Sequence, residues 1–197
     1  MSIAVYIVNA FSSGPFSGNP AAVCPLEQWL PDDLMQSIAA QHNLSETVFF
    51  VKEQNDYAIR WFTPTVEVPL CGHATLAAAY VLFNELQYTH NEIHFQSKSG
   101  LLKVIKNNDI LELNFPSETI TDLPFSILSE KELSAKPIYI GKGRVFILIE
   151  LQSEKEVVDA KPDVLAIQRL DAAGVIVTAK GTSVDFVSRV FAPQSGI

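Results

Sequence analysis

"GHATLAAAYVLFNEL", residues 72–86, decides the fold. Alanine and leucine dominate the stretch, so it reads as a helix. From Leu76 to Phe83 it carries eight apolar residues in a row. A helix that is apolar on every side has to be buried on every side. A sheet wrapped around a central helix supplies that environment. The run is far too short to span a bilayer.

The flanking sequence supplies the strands. "IAVYIVNAF" (3–11) opens as a strand, and "SSGPFSGNPAAV" is a glycine- and proline-punctuated loop that returns to a short apolar run. "PDDLMQSIAAQHN" is a helix, with Pro31, Asp32 and Asp33 at its start and Asn43 at its end. "ETVFFVK" and "YAIRWFT" are two strands rich in aromatic and β-branched residues, joined through Gln54–Asn55–Asp56. Beyond the central helix come "EIHFQ", "LLKVIK" and "ILELNF". The last two flank Asn107–Asn108, which predicts a two-residue hairpin turn. "PSETITDLP" (116–124) is polar, bounded by proline and predicted to be a linker. Strands then resume in "PIYIG" and "RVFILIEL". A helix near "PDVLAIQRL" and the strands "GVIVTAK" and "VDFVSRVFAP" complete the chain.

These elements contain a repeat. Arg60-Trp61-Phe62-Thr63-Pro64 matches Arg189-Val190-Phe191-Ala192-Pro193 at an offset of 129 positions. Each copy follows a helix, a strand, a polar turn and another strand, so the chain is predicted to be an α+β protein of two pseudo-symmetric lobes. The first spans 1–115 with its central helix at 72–86. The second, 125–197, is only partial. Copy one continues past Pro64 into the central helix, whereas copy two stops in "RVFAPQSGI". If the lobes match, about 47 residues are wanting. The expectation is a shortened chain whose second lobe exposes apolar sheet, and which forms a homodimer or associates with a severed C-terminal segment.

Bulk properties narrow the function. The chain has 197 residues, 48% hydrophobic and 18% charged, enough for a real core. A net charge of −8 without a lysine–arginine cluster argues against nucleic acid. Cys24 and Cys71 cannot build a disulfide framework and suit a reducing compartment. "MSIAVYIVNAF" lacks a basic n-region and a cleavage site. A soluble cytoplasmic protein, with no membrane partner, is the expectation.

Four residues could carry chemistry. Gly72 and His73 lie at its N-terminus, where unpaired N–H groups and the helix dipole favour an anion such as a carboxylate. The competing reading makes Gly72 a turn residue and His73 a capped polar side chain. Glu46, in "NLSETVFF", stands just before three apolar residues; a carboxylate held against an apolar wall is a usable acid or base near neutral pH. It could equally be a loop residue at a strand start. Cys71 could be a stabilised thiolate, or packing. Cys71 and His73 have no further Cys or His at metal-ligand spacing, and His42, His90 and His94 are scattered, so no metal is expected. "GPFSGNP" has no P-loop or dinucleotide pattern, and no cofactor is indicated.

"FSSGPFSGNPAAV", "NLSETVFF", "RWFTPTVEVPLCGHATLAAAYVLF" and "SRVFAPQSGI" together resemble, in order and spacing, the phenazine-biosynthesis PhzF-like family. The resemblance covers the whole chain. It implies the diaminopimelate-epimerase fold, with a sheet rolled round a central helix in each lobe and the site in the cleft between them. It also implies an isomerase of a small carboxylate-bearing metabolite. By the same resemblance Glu46 is the catalytic acid/base, Gly72 and His73 bind substrate, Asn19 and Pro20 line the site, and Cys71 matches one of the two cysteines of related epimerases. Two departures stand out. Pro69 replaces an aspartate frequent in relatives, and the family continues past this chain's end with "EDPVTGSAH", a segment that supplies an acidic site residue. Two rivals follow: an epimerase using Cys71 as base, and an inactive small-molecule-binding or assembly protein of the same fold.

Overall fold

The buried helix runs from Gly72 to Asn84 (α2) in a computed structural model that describes residues 2–115 and 117–195. Met1, Pro116 at the head of the expected linker, and Gly196–Ile197 at the end of "RVFAPQSGI" lie outside the described residues. The helix stops two residues short of the expected end. Glu85 and Leu86 both donate to the Val81 carbonyl, Tyr88 donates to Leu82, and Gln87 adopts φ +54°. These bonds satisfy the last carbonyls without a further helical turn. Ala74, Thr75, Ala77, Ala78, Ala79, Val81, Leu82 and Phe83 are buried. Burial is not complete all round, however: Leu76 is half-buried and Tyr80 is 45% exposed.

Two compact units divide the chain, Met1–Pro116 and Ser117–Ile197. In the first, the strands are β1 (Tyr6–Ala10), β2 (Asn19–Leu26), β3 (Glu46–Glu53), β4 (Asp56–Phe62), β5 (Glu67–Val68), β6 (Glu92–Ser97), β7 (Gly100–Asn107) and β8 (Ile110–Asn114). They form one sheet in the order β1-β2-β3-β4-β6-β7-β8, with β5 beside β4. Helix α1 (Asp32–His42) crosses between the parallel strands β2 and β3, and α2 crosses between the parallel strands β4 and β6. Both edge strands, β1 and β8, pack on α2, so the sheet curls around the helix. The open side of α2 carries Tyr80, and Leu76, one turn earlier, is partly buried against the core.

Strand period explains the double burial of β3. Val48 and Phe50 face α2 and join the main core, while Phe49 joins Cys24, Met35, Ala39 and Phe62 under α1. Burial pushes the Cys24 thiol up to about 12, so this cysteine is packing. Helix α1 ends as the sequence indicates, with Asn43 at φ +52° bonding the Ala39 carbonyl. The β7–β8 turn is one residue later than expected. Asn107 pairs with Ile110, leaving Asn108–Asp109 as the turn, with Asn108 at φ +55°.

The second unit contains β9 (Thr121–Asp122), α3 (Glu130–Leu133), β10 (Pro137–Lys142), β11 (Phe146–Leu151), α4 (Glu154–Asp159), α5 (Val164–Gln168), β12 (Gly174–Lys180) and β13 (Phe186–Phe191). The segment expected to be a linker carries β9, which pairs with Gly141 and Lys142 of β10. Strands β10–β13 repeat the pairing of β1–β4: antiparallel, then parallel across helices, then antiparallel. The repeat extends to side chains. Arg60 sits 5.2 Å over the Phe62 ring and Arg189 4.8 Å over Phe191. Instead of one helix, three short ones bury one sheet face around Ile147, Ile149, Val175 and Val177. On the other face Leu148, Ile176 and Val190 lie in register across three strands, with Val190 and Phe186 exposed.

The small residues of α2 give a direct test of the wrapped-helix architecture. Ala78 is fully buried, so Ala78→Leu should cost about 1–3 kcal/mol through overpacking. Tyr80→Gln, on the open side, should change stability by about 0.5 kcal/mol or less. Urea unfolding of both variants reads the difference; equal effects would contradict the one-sided exposure.

Candidate functional site

Glu46 is the first residue of β3 and shares a face with Val48 and Phe50. That parity points it toward the N-terminal end of α2. Pairing of Glu46 with Ala21 sets Asn19 and Pro20, at the start of β2, alongside. Gly18 makes the entry possible. Its φ is +87°, and a Cβ there would meet the Ala10 carbonyl oxygen at 2.5 Å.

The approach to α2 is fixed by charge. Arg60 Nε and Nη2 each reach Glu67 at 2.8 Å, Nη1 reaches Asp32 at 2.8 Å, and Lys98 joins Glu67 at 2.6 Å. The Arg60 hydrogen bonds hold the Glu67 carboxyl below its ordinary range, ahead of the opposing effect of burial. Ser99 donates to the Pro69 carbonyl at 2.9 Å. Cys71 then becomes the N-cap with no side-chain cap bond, while Thr75 Oγ1 donates to the Cys71 carbonyl at 2.6 Å. Gly72 admits the Phe115 ring: a Cβ at 72 would lie 2.7 Å from Phe115 Cζ.

The predicted residues converge within this first unit. His73 Nε2 lies 3.2 Å from Glu46 Oε2 and 3.4 Å from Ser45 Oγ, and His73 Nδ1 lies 3.4 Å from Cys71 Sγ. Ser45 Oγ also reaches Asn19 Oδ1 at 3.1 Å and the Pro20 carbonyl at 3.4 Å. Glu46 is 8% exposed, and its Oε2 has a neighbour in His73 but no aligned hydrogen bond. Gly72 contributes backbone only. Ser45 and Phe115 were not among the sequence candidates. Ser45 was legible as the residue before Glu46 in the strand-opening "SET", whereas nothing in the sequence ties Phe115 to Gly72.

Burial, foremost, lowers the His73 pKa. The Glu46 charge and the Pro20 carbonyl oppose the shift without reversing it. His73 is therefore a neutral imidazole at neutral pH. Burial first, then the Glu46 charge, pushes the Cys71 thiol up; the backbone N–H groups of Ala74 and His73 pull the other way and lose. Of the two readings left open for Cys71, this favours a packed, protonated thiol over a stabilised thiolate. A protonated Cys71 can donate to Nδ1, and in the tautomer that accepts it the ring proton lies on Nε2, facing Glu46, Ser45 and Pro20.

Three comparisons bear on this arrangement. The sequence profile of a family described as "Phenazine biosynthesis-like protein" matches residues 8–197. An uncharacterized isomerase of Pseudomonas aeruginosa is 47% identical over 197 residues, covering 100% of this chain and 76% of that protein. The crystal structure of a PhzF-family phenazine biosynthesis protein from Enterococcus faecalis superposes with TM-score 0.90 at 48% identity, over 100% of this chain and 76% of that one. A hydroxyproline epimerase from Agrobacterium vitis superposes with TM-score 0.60 at 10% identity, over 96% of this chain and 70% of that one, a likeness of fold alone. Among the described residues no helix is long and apolar enough to cross a membrane.

The charge arrangement predicts a titration. NMR of the imidazole should place His73 below the ordinary value of about 6.5. Glu46→Gln removes the charge that holds the value up and should lower it further. Because the folded pKa is depressed, the unfolded chain takes up the proton first. His73 therefore stabilises the fold above about 6.5, and that contribution is lost as pH falls toward the folded value. A midpoint that rises in Glu46→Gln would refute the assignment.

Proposed function

The chain belongs to the phenazine biosynthesis-like family, and on that footing we propose that it is an isomerase moving a proton between two carbons of a small carboxylate-bearing metabolite. The observation that carries this reading is the buried carboxylate of Glu46, with Oε2 unbonded, 3.2 Å from a neutral imidazole at the N-terminus of α2. Glu46 takes a proton from a carbon next to an electron-withdrawing group and returns it to another carbon of the same skeleton. The reaction is redox-neutral and needs no second substrate. His73 donates its single ring N–H to a substrate oxygen as charge develops. The N–H groups of the first turn of α2, uncapped by Cys71, suit the substrate carboxylate. Cys71 keeps its proton and sets the tautomer of His73, which disfavours the reading of Cys71 as base. Asn19 and Pro20 hold Ser45 in place and complete the polar wall.

The test is solvent exchange. Small carboxylates bearing an acidic C–H are incubated with the protein in deuterium oxide and followed by NMR for label uptake and double-bond or stereochemical change. Glu46→Gln should slow turnover by about 10²–10⁴-fold, while ligand affinity stays within about threefold because the substituted amide keeps the shape of the carboxylate. Undiminished turnover in this variant would remove Glu46 from the mechanism. Ligand affinity without exchange in the unaltered chain would instead mark a binding protein of this fold.

A further inference from the structure

Three side chains of different chemistry meet beside α2. Glu46, Cys71 and His73 each offer one donor atom, and these atoms all lie within 4.8 Å of one another. Counting cysteines and histidines along the chain misses the group, because the third donor arrives from β3. Glu46 Oε2 gives a second indication: it is sealed from solvent and, although His73 Nε2 lies 3.2 Å away, it makes no aligned hydrogen bond. A buried oxygen in that state is short of a partner, and a cation would satisfy it. The donors come within reach of one tetrahedral ion once the imidazole turns. Metal bonds of about 2.0–2.3 Å set ligand atoms about 3.3–3.8 Å apart. Cys71 Sγ lies 3.4 Å from His73 Nδ1, and Glu46 Oε2 lies 3.2 Å from His73 Nε2. Those contacts use opposite nitrogens, so loading requires the ring to turn until one nitrogen serves both neighbours.

We propose that Glu46, Cys71 and His73 hold a thiophilic divalent cation of the zinc type, and that the ion and the carboxylate substrate exclude each other. The exclusion rests on the isomerase reading; the binding does not. On loading, the Cys71 S–H releases its proton to solvent and a metal–thiolate bond forms in its place, with nothing oxidised or reduced. Three protein donors leave a fourth position for water. The ion engages the lone pairs of Glu46 and His73, so no base remains to move a substrate proton.

Cobalt(II), a spectroscopic stand-in for zinc, is titrated into the full chain. A tetrahedral ligand-field spectrum with a thiolate-to-cobalt charge-transfer band should saturate at one equivalent and collapse on adding zinc. Cys71→Ser should abolish the charge-transfer band, Glu46→Gln should weaken cobalt binding by more than about tenfold, and Cys24→Ala should leave both unchanged. In the unaltered chain, zinc should slow alkylation of Cys71 as read by mass spectrometry, a measurement that needs no variant to fold. An octahedral spectrum, a charge-transfer band that survives Cys71→Ser, or alkylation indifferent to zinc would overturn the site. Turnover that persists with the site loaded would overturn the exclusion. Failure to find any turnover would leave the spectra untouched and remove only the isomerase reading.

Discussion

Everything in the first unit depends on burying α2 inside a sheet. Four alanines, at 74, 77, 78 and 79, keep the helix thin enough for strands to approach it from several directions. Val81, Leu82 and Phe83 then supply the bulk that the strands grip. At about 25 cal/mol per Å² of apolar surface, a helix covered on most sides gains far more than its own propensity provides. The sheet has to curl to deliver that burial, and curling brings β1 and β8 onto the same helix. The start of α2 is thereby held against the starts of β2 and β3. The geometry of the candidate site and that of the core share one cause.

That arrangement carries a cost at the site. Glu46 occupies a core-facing position of β3 that the pattern of the strand reserves for apolar residues such as Val48 and Phe50. Its Oε2 goes without a hydrogen bond, and His73 is kept from its proton by the same burial. A Leu at 46 would suit the core better. The surrounding packing is what allows the fold to tolerate such groups, a balance expected where polar atoms are kept free for a ligand.

Much of this was legible in the sequence, for identifiable reasons. The eight-residue apolar run called for a surrounding sheet, and the apolar residues after Glu46 already marked it as a carboxylate against an apolar wall. Asn43 closed α1 as its type suggests. Other features were hidden because they are decided by tertiary pairing. Thr121–Asp122 is polar and bounded by proline, and becomes a strand only because the edge of β10 is available. The turn at Asn108–Asp109 is displaced by one residue because cross-strand register, not the Asn pair, sets it. Two residues of α2 were overassigned since the left-handed Gln87 has no glycine to announce it. The contact of Phe115 with Gly72 joins positions far apart in the chain, and no local pattern records it.

The internal repeat is unequal where the candidate site lies. At the offset of 129 positions that aligns Arg60 with Arg189, Ser45 and Glu46 align with Gly174 and Val175. Within the described repeat, then, the Ser45–Glu46 pair occurs in one copy only, and the other copy puts a glycine close to the Phe191 carbonyl and a core valine there. If Glu46 moves a proton as proposed, the first unit presents the substrate with one carboxylate on one face, and a hydrogen that it removes into its buried pocket can return to the same molecule before water replaces it.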